Sequence, residues 1–418
     1  MENLYAVCCG IDVHKKLIVA CLRQGDKTQI REFGASTREL LELADWLIDH
    51  HCEAAAMEST GSYWKPLYNI LESQDLNPIV VNAQHMHNVP GRKTDIKDAE
   101  WISDLLCHGL LTPSFIPARA QRELRELVSY RKSLVKTQGA ELNRLQKMLE
   151  GGNIKLSGTV SNINGKSARH LLDLVLEGNK LDEAVYDQML KDKKISRKLK
   201  ASRSKLIDDM NGVLSPMQIK MIREIRKHID ELETHIKELD DEIDDAMSPH
   251  EKEIVQQLTD IPGIGKDSAK IIISVIGTDM SRFPTSRQLC SWAGMCPGNN
   301  ESAKKKYSSR TLKGNKLLKS TLVVCAHSAV LRKESYYSSL YSRIAAHRGK
   351  KRAIVAVGHA ILQAIYYMIK NNEPYKELGS EYYSSKTRES KIKSHLSKLQ
   401  NLGVNIPEEV RFAALQMA

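Results

Sequence analysis

The sequence predicts an α/β domain followed by long helices and a mostly helical carboxy-terminal part, an α/β plus α chain. Three observations lead there. Strand-like runs alternate with helical periodicity through the first 118 residues, a heptad seam runs through 217–247, and residues from 249 onward read mostly as helix.

The amino-terminal elements follow in order. YAVCCGID (5–12), KLIVACL (16–22) and TQIREF (28–33) are three short β-like runs, with a turn at Gly25-Asp26 between the second and third. A helical pattern covers 36–50, AAAMES (54–59) reads as a buried strand, and a second helix covers 64–74. NPIVVN (77–82) is a fifth strand and 94–110 a third helix. A three-strand meander followed by helix–strand units predicts a mixed sheet, with the domain spanning 1–118.

Residues 119–248 change character. Ile222, Ile225, Ile229, Leu232, Ile236, Leu239 and Ile243 recur at alternating steps of three and four, a coiled-coil signature. Leu124, Val128, Val135, Leu142, Leu145 and Leu149 form a second seam, interrupted by Arg131 and Gln138. Two such helices predict an antiparallel hairpin or a dimerisation arm. Between them, 151–216 reads as an insertion at the tip, and its run KDKKISRKLKASRSK (191–205) holds eight basic residues and one acid. The acidic run ELDDEIDD (238–245) reads as the solvated face of its helix. The last part, 249–418, begins after Ser248-Pro249. It carries a basic strip from Lys304 to Lys319, a second basic cluster at 343–352, an apolar helix at 353–370 and a polar, basic tail from 380.

The bulk numbers narrow the function. The 62 Lys+Arg against 51 Asp+Glu give a net charge of +11, and their clustering is the footprint of a nucleic-acid binder. The eight cysteines form no CxxC pair and no ligand spacing with histidine, so reduced thiols in a cytoplasmic protein are expected. No run approaches ~18 consecutive apolar residues and no basic segment opens an apolar leader, so neither a membrane partner nor a signal peptide is expected.

Four carboxylates carry the chemistry. Asp12 (GIDVHK) ends the first predicted strand and Glu58 (MEST) the fourth, while Asp95 and Asp98 (TDIKDAEW) lie three apart on one face of a helix. Strand-end acids with a helical acid pair suit Mg²⁺, with two ions as the expected number, because hard cations need several oxygen ligands with positions left open for water and phosphate. Individually each acid has an ordinary reading: Asp95 or Asp98 as a helix-start residue, Glu58 in a turn, and Asp104 as a decoy on the same helix. His14, two residues past Asp12, is equally a strand-end polar residue or a partner of the site. Lys15 and Lys97 flank the acids, Tyr63-Trp64 opens a helix and reads mainly as core, and His85 and His87 have no ligand spacing.

Further on, LTDIPGIGKDSAKIIISVIG (258–277) resembles a helix-hairpin-helix element, whose Pro262-Gly263-Ile264-Gly265 turn offers backbone N–H groups to a phosphate, with Lys266 adding charge. WAGMCPGNNESAKKKYSSRTLKGNK (292–316) reads as a Gly/Pro/Asn loop running into a phosphate-contact strip, with Lys304, Lys305, Lys306, Arg310, Lys313 and Lys316 as its cations. Ser302, Ser308 and Ser309 are all candidate nucleophiles on residues alone.

GIDVHKK, AMESTGSYW and KTDIKDAEWISDLL together resemble the amino-terminal domain of the DEDD transposases of bacterial insertion sequences. This is the IS110 family, which includes Piv-type DNA invertases and bridge-RNA-guided recombinases. The resemblance implies an RNase H/RuvC-like fold in which Asp12, Glu58, Asp95 and Asp98 ligate metal, and a carboxy-terminal transposase domain. It singles out Ser302, after the AG-x-x-P stretch, as the residue that attacks DNA. Family members often have Gly after that serine, where this chain has Ala303. It also implies double-stranded donor and target DNA, a non-coding bridge RNA, a dimer or tetramer, and work at the bacterial nucleoid. Because acids and serine fall in different domains, a composite site shared between subunits is expected. Two other readings stay open: a RuvC-like junction endonuclease using metal-activated water, and a non-catalytic architectural DNA-binding protein. RGKKRAIVAVGHAIL (348–362) resembles the family's downstream basic helix, while the 151–216 insertion and the tail lie outside the resemblance.

Overall fold

The computed structural model describes residues 3–59, 61–81, 95–298, 300–302, 305–308, 311, 313–382, 392, 396–399 and 407, with the backbone alone for Asp95, Asn300–Ser302 and Lys305–Ser308. The chain divides into two units, Met1–Pro117 and Ala118–Ala418.

In the first unit the three β-like runs form the expected meander. Strands β1 (Val7–Val13), β2 (Leu17–Gln24) and β3 (Lys27–Gly34) pair antiparallel. Gln24 pairs with Lys27, so the β2–β3 connection is the two residues Gly25-Asp26, and Gly25 takes φ 59°, which suits glycine. Helix α1 (Thr37–Asp49), capped by the Ser36 side chain, returns the chain to β4 (Ala54–Glu58), which lies parallel to β1. Helix α2 (Trp64–Ser73) leads to β5 (Pro78–Val81), parallel to β4. The sheet order is β3-β2-β1-β4-β5, and α3 (Asp95–Cys107) follows.

Both faces of this sheet are covered, and strand parity decides what lies on each. Cys9, Ile11, Val13, Ala55 and Met57 belong to the core that α1 and α2 close with Leu40, Leu43, Leu47, Leu67 and Leu71. Cys8, Ala54 and Ala56 face the other way, against Ile102, Leu106 and Cys107 of α3. Small residues on that face let the helix lie close. At Gly10 a Cβ would fall 2.2 Å from the Ser103 backbone nitrogen and 2.3 Å from the Ala99 carbonyl oxygen. The mixed sheet with its helices is compatible with an RNase H-like domain.

The second unit begins with α4 (Arg119–Gly151), which continues through four short helices into α9 (Pro216–Ala246). The two long helices pack against each other as an antiparallel hairpin. Gln138 donates to Glu233 at 3.3 Å, and Arg131 reaches Asp240 at 2.5 and 2.9 Å. Ile222, Ile225, Ile229, Leu232, Leu239 and Ile243 are buried, whereas Ile236 is half-buried and Val135 is 41% exposed. The seam is therefore interrupted where Arg131 and Gln138 enter it, and the half-buried Arg131 finds its anion opposite in Asp240. The acidic run at 238–245 is correspondingly not only a solvated face: Asp240 pairs with Arg131, and Asp244 with the buried Lys270 at 2.7 Å.

The tip holds α5 (Leu156–Thr159), α6 (Lys166–Leu176), α7 (Glu183–Lys191) and α8 (Arg203–Met210). They share a core with the ends of α4 and α9, built from residues such as Leu149, Leu171, Leu206 and Ile222. Beyond α9 come α10 (Pro249–Leu258), α11 (Lys266–Ile276) and α12 (Ser286–Trp292). A two-stranded sheet of β6 (Asn300–Ser302) and β7 (Lys305–Ser308) follows. Helices α13 (Lys316–Ala329), α14 (Tyr336–Arg348) and α15 (Lys350–Asn371) complete the unit. Among the described residues α15 is long and apolar enough to cross a membrane by length and composition. Half of its apolar window is buried inside the unit, with Val357, Ile361, Leu362 and Ile365 fully covered, as in the core helix of a globular domain.

Candidate active site

The register of the sheet brings two of the four acids together. The β1–β4 ladder runs in parallel and its last pair is Ile11 with Met57, so Asp12 and Glu58 are the next residue on each of two neighbouring strands. Parity sends both to the α3 face: Asp12 follows Cys8 and Gly10, and Glu58 follows Ala54 and Ala56. Carboxyl ends of adjacent parallel strands are where open α/β sheets present functional groups.

Helix α3 runs back along β1. Its last residue, Cys107, accepts a hydrogen bond from the Leu4 backbone at 2.7 Å, and the Cys8 thiol lies 3.7 Å from the Ser103 carbonyl. Gly10 then meets Ala99 and Ser103. Each step toward the carboxyl end of β1 thus meets an earlier residue of α3, and this progression leads from Gly10 to the helix start at Asp95 and Asp98, on the side to which Asp12 faces. Asp98 is half-buried; of Asp95 only the backbone position, first in the helix, is described.

Asp12 is a nearly buried carboxylate, 8% exposed, and its Oδ2 lies 3.1 Å from His14 Nε2. His14 is two residues on along the same face and more open to solvent, with Lys15 exposed beside it. Among the described residues no three His, Cys, Asp or Glu side chains are grouped as a metal cage. The donor chemistry nevertheless fits a hard divalent cation, since Asp12, Glu58 and Asp98 offer carboxylate oxygens. Asp104 belongs elsewhere: it pairs with Arg23 at 3.3 Å and with His108. Of the aromatic pair, Trp64 packs on the core edge-on to Tyr68, while Tyr63 is exposed.

In the second unit the stretch read as a loop is a β-hairpin. Ser302 pairs with Lys305 at the closed end, Asn300 with Ser308 at the other, and an isolated bridge joins Pro297 to Thr311 below them. Lys305 and Lys306 therefore lie on the return strand; Lys313 and Lys316 are exposed after it. Ala303, Lys304, Ser309 and Arg310 lie outside the described residues, as do His85, His87 and most of the tail. Two glycines hold the neck of the hairpin: a Cβ on Gly314 would fall 2.3 Å from the Gly294 nitrogen, and Gly294 itself has φ 69°.

The helix-hairpin-helix expectation divides between its glycines. Gly263 (φ 88°) is a packing residue, since a Cβ there would lie 2.3 Å from the Cys325 carbonyl of α13. Gly265, at the start of α11, faces open space and stands beside the exposed Lys266. Gly10, Gly294 and Gly314 were not picked out from sequence, although a glycine inside a buried strand such as β1 does signal a close backbone approach.

Comparison with known proteins gives the family. Residues 9–154 match a DEDD transposase model of the IS110 type, and residues 255–342 match the transposase IS116/IS110/IS902 family; the two spans take in more than half of the chain. The transposase for insertion sequence element IS1111A of Coxiella burnetii is 25% identical over 214 residues, 44% of this chain, and the match spans 58% of that protein's length. On these matches the chain belongs to the IS110 family of transposases.

Proposed function

We propose that this protein is a site-specific recombinase of a bacterial insertion sequence, which cleaves and rejoins double-stranded DNA through a transient phosphoserine link. The observation that carries the reading is the pairing of Asp12 and Glu58 at neighbouring strand ends on the face of the acid-bearing α3, in a chain of this transposase family. Asp12, Glu58, Asp95 and Asp98 would hold Mg²⁺, two ions being the number their oxygens suit. The bound cations supply charge neutralisation at the phosphate and lower the cost of the leaving oxygen's charge.

The residues of this chain do the rest. The Ser302 Oγ–H gives up its proton and Oγ bonds to phosphorus, the bond from phosphorus to the departing strand breaks, and that strand leaves as a hydroxyl after taking a proton. A second strand's hydroxyl reverses the sequence and frees the serine. His14, against Asp12, keeps that carboxylate oriented. Lys305 and Lys306, with Lys304 and Arg310, would hold phosphates by charge, as would Lys15, Lys266, Lys313, Lys316 and the open start of α11 at Gly265. These contacts carry no sequence information. Site choice is consequently assigned to a structured RNA that pairs with donor and target, and synapsis to a dimer or tetramer.

Trapping decides this reading. Incubation with labelled DNA and Mg²⁺ should yield a denaturation-resistant protein–DNA adduct that Ser302→Ala lacks. Strand cutting without an adduct would instead identify the water-using endonuclease.

A further inference from the structure

The second unit carries a basic surface that neither the carboxylate site nor the hairpin uses. It is the run 191–205 at the tip of the arm, where eight Lys and Arg stand against the single acid Asp192. Seven of them, Lys191, Lys193, Lys194, Arg197, Lys198, Lys200 and Lys205, are exposed, and Asp192 is engaged by Gln188 at 2.8 Å. Arg203 alone is paired locally, reaching Asp187 at 2.9 Å and lying over the Tyr186 ring.

This is a built surface. Helix α7 ends in a Schellman turn: Lys194 N donates to Met189 O at 2.9 Å, Lys193 N to Leu190 O at 3.1 Å, and Lys193 takes φ 55°. Ile195 is then buried in the tip core and Leu199 packs on it. Ser196 N donates to Ser167 Oγ at 3.0 Å, and Ala201 N to Thr159 O. The apolar residues of the run point inward and the cations outward, on a backbone that is already ordered. Holding seven like charges together costs repulsion that the fold does not relieve, which a polyanion would.

We propose that the 191–205 face of the tip is a docking site for the phosphate backbone of duplex nucleic acid, read by charge and not by sequence. The run carries no aromatic side chain on which single-stranded bases would stack. Irregularly spaced cations suit a duplex, whose phosphates present a near-continuous line of charge. The inference rests on the reading that the protein handles nucleic acid, and places a contact at the tip of the arm, in the same unit as the hairpin.

The test measures affinity of the full chain for a DNA duplex and for an RNA hairpin of arbitrary sequence across a salt series. The K193Q/K194Q/R197Q/K198Q variant is compared with a charge-keeping variant in which the three lysines become arginine. Removing the four charges should weaken binding and flatten the plot of log affinity against log salt by about 0.9 for each DNA phosphate no longer neutralised. The arginine variant should keep the wild-type slope. An effect confined to one probe identifies which nucleic acid supplies the phosphates. K191Q/K200Q/K205Q gives an independent reading should the first variant unfold. Wild-type binding with an unchanged slope in both neutralised variants overturns the tip site alone, and a wild type that binds neither probe overturns the nucleic-acid reading with it.

Discussion

Asp12 and Ser302 both stand on short β-strands, and the two strands are built in opposite ways. Strand β1 is buried at all seven positions and hydrogen-bonded on both sides, by β2 and β4. Strand β6 has three residues and, among the described residues, one partner. A two-stranded ribbon of this size is marginal by itself, so its position depends on the neck, where Gly314 meets Gly294 and Pro297 bridges Thr311. The acids are thus set by a core, and the serine by a clamp. Changes near Asp12 should trade against folding, whereas changes at the hairpin neck should trade against activity alone.

The largest effect expected is on chemistry. Asp12→Asn and Ser302→Ala should each lower recombination by on the order of 10³-fold or more, with DNA binding in a mobility-shift assay retained. Equal adduct formation by Ser302→Ala would remove the serine from the comparison.

Next comes Gly10→Ala, which tests the core side. Its Cβ meets backbone atoms of α3, which cannot rotate away, so overpacking should cost about 1–3 kcal/mol or more, read as a lower midpoint in urea. Gly314→Ala should do the converse: the hairpin neck opens, recombination falls tenfold or more, and the urea midpoint moves little. A midpoint shift as large as that of Gly10→Ala would erase the distinction between core and clamp.

A smaller effect is expected within the arm. Arg131→Ala strips the partner from Asp240 and Asp267, which should cost about 1–3 kcal/mol. Arg131→Met, filling the seam with apolar volume, should recover part of it. A thermal melt of both variants checks this.

Absent at neutral pH and setting in only above pH 9 is a pH effect in the first unit. Burial pushes the Cys8 and Cys52 thiols from their ordinary 9.0 up to about 12, with neighbouring cysteines adding to the rise at Cys8. A folded pKa above the unfolded one contributes stability fully present below pH 9 and lost as pH rises from 9 toward 12. Alkaline unfolding should therefore expose these thiols together, and none should react with a thiol reagent in the native protein at pH 8.

How much of this was legible beforehand differs between the same two regions. The five strands and three helices of the first unit could be read to within about two residues, because each buried run is bounded by turn residues and carries its own period. The exception is the third helix, which was expected to run to 110 and ends at Cys107. The seam of α4 and α9 was equally readable, but its breaks were not: nothing in the spacing of Arg131 says that Asp240 lies opposite. The hairpin at 300–308 read as a loop because Gly, Pro and Asn dominate its approach and its strands are three and four residues long. The ordered basic tip was visible only as charge.

The sequence by itself determined the kinds of chemistry present: four carboxylates, a serine among lysines, and a clustered basic surplus. These are properties of side chains and survive without a fold. Only the tertiary structure decided which acids are neighbours, since adjacency of Asp12 and Glu58 depends on a parallel ladder between residues more than forty apart in the chain. The same holds for α3, whose closeness to β1 is set by an absent side chain at Gly10. That is a steric fact which appears only when two backbones are brought together.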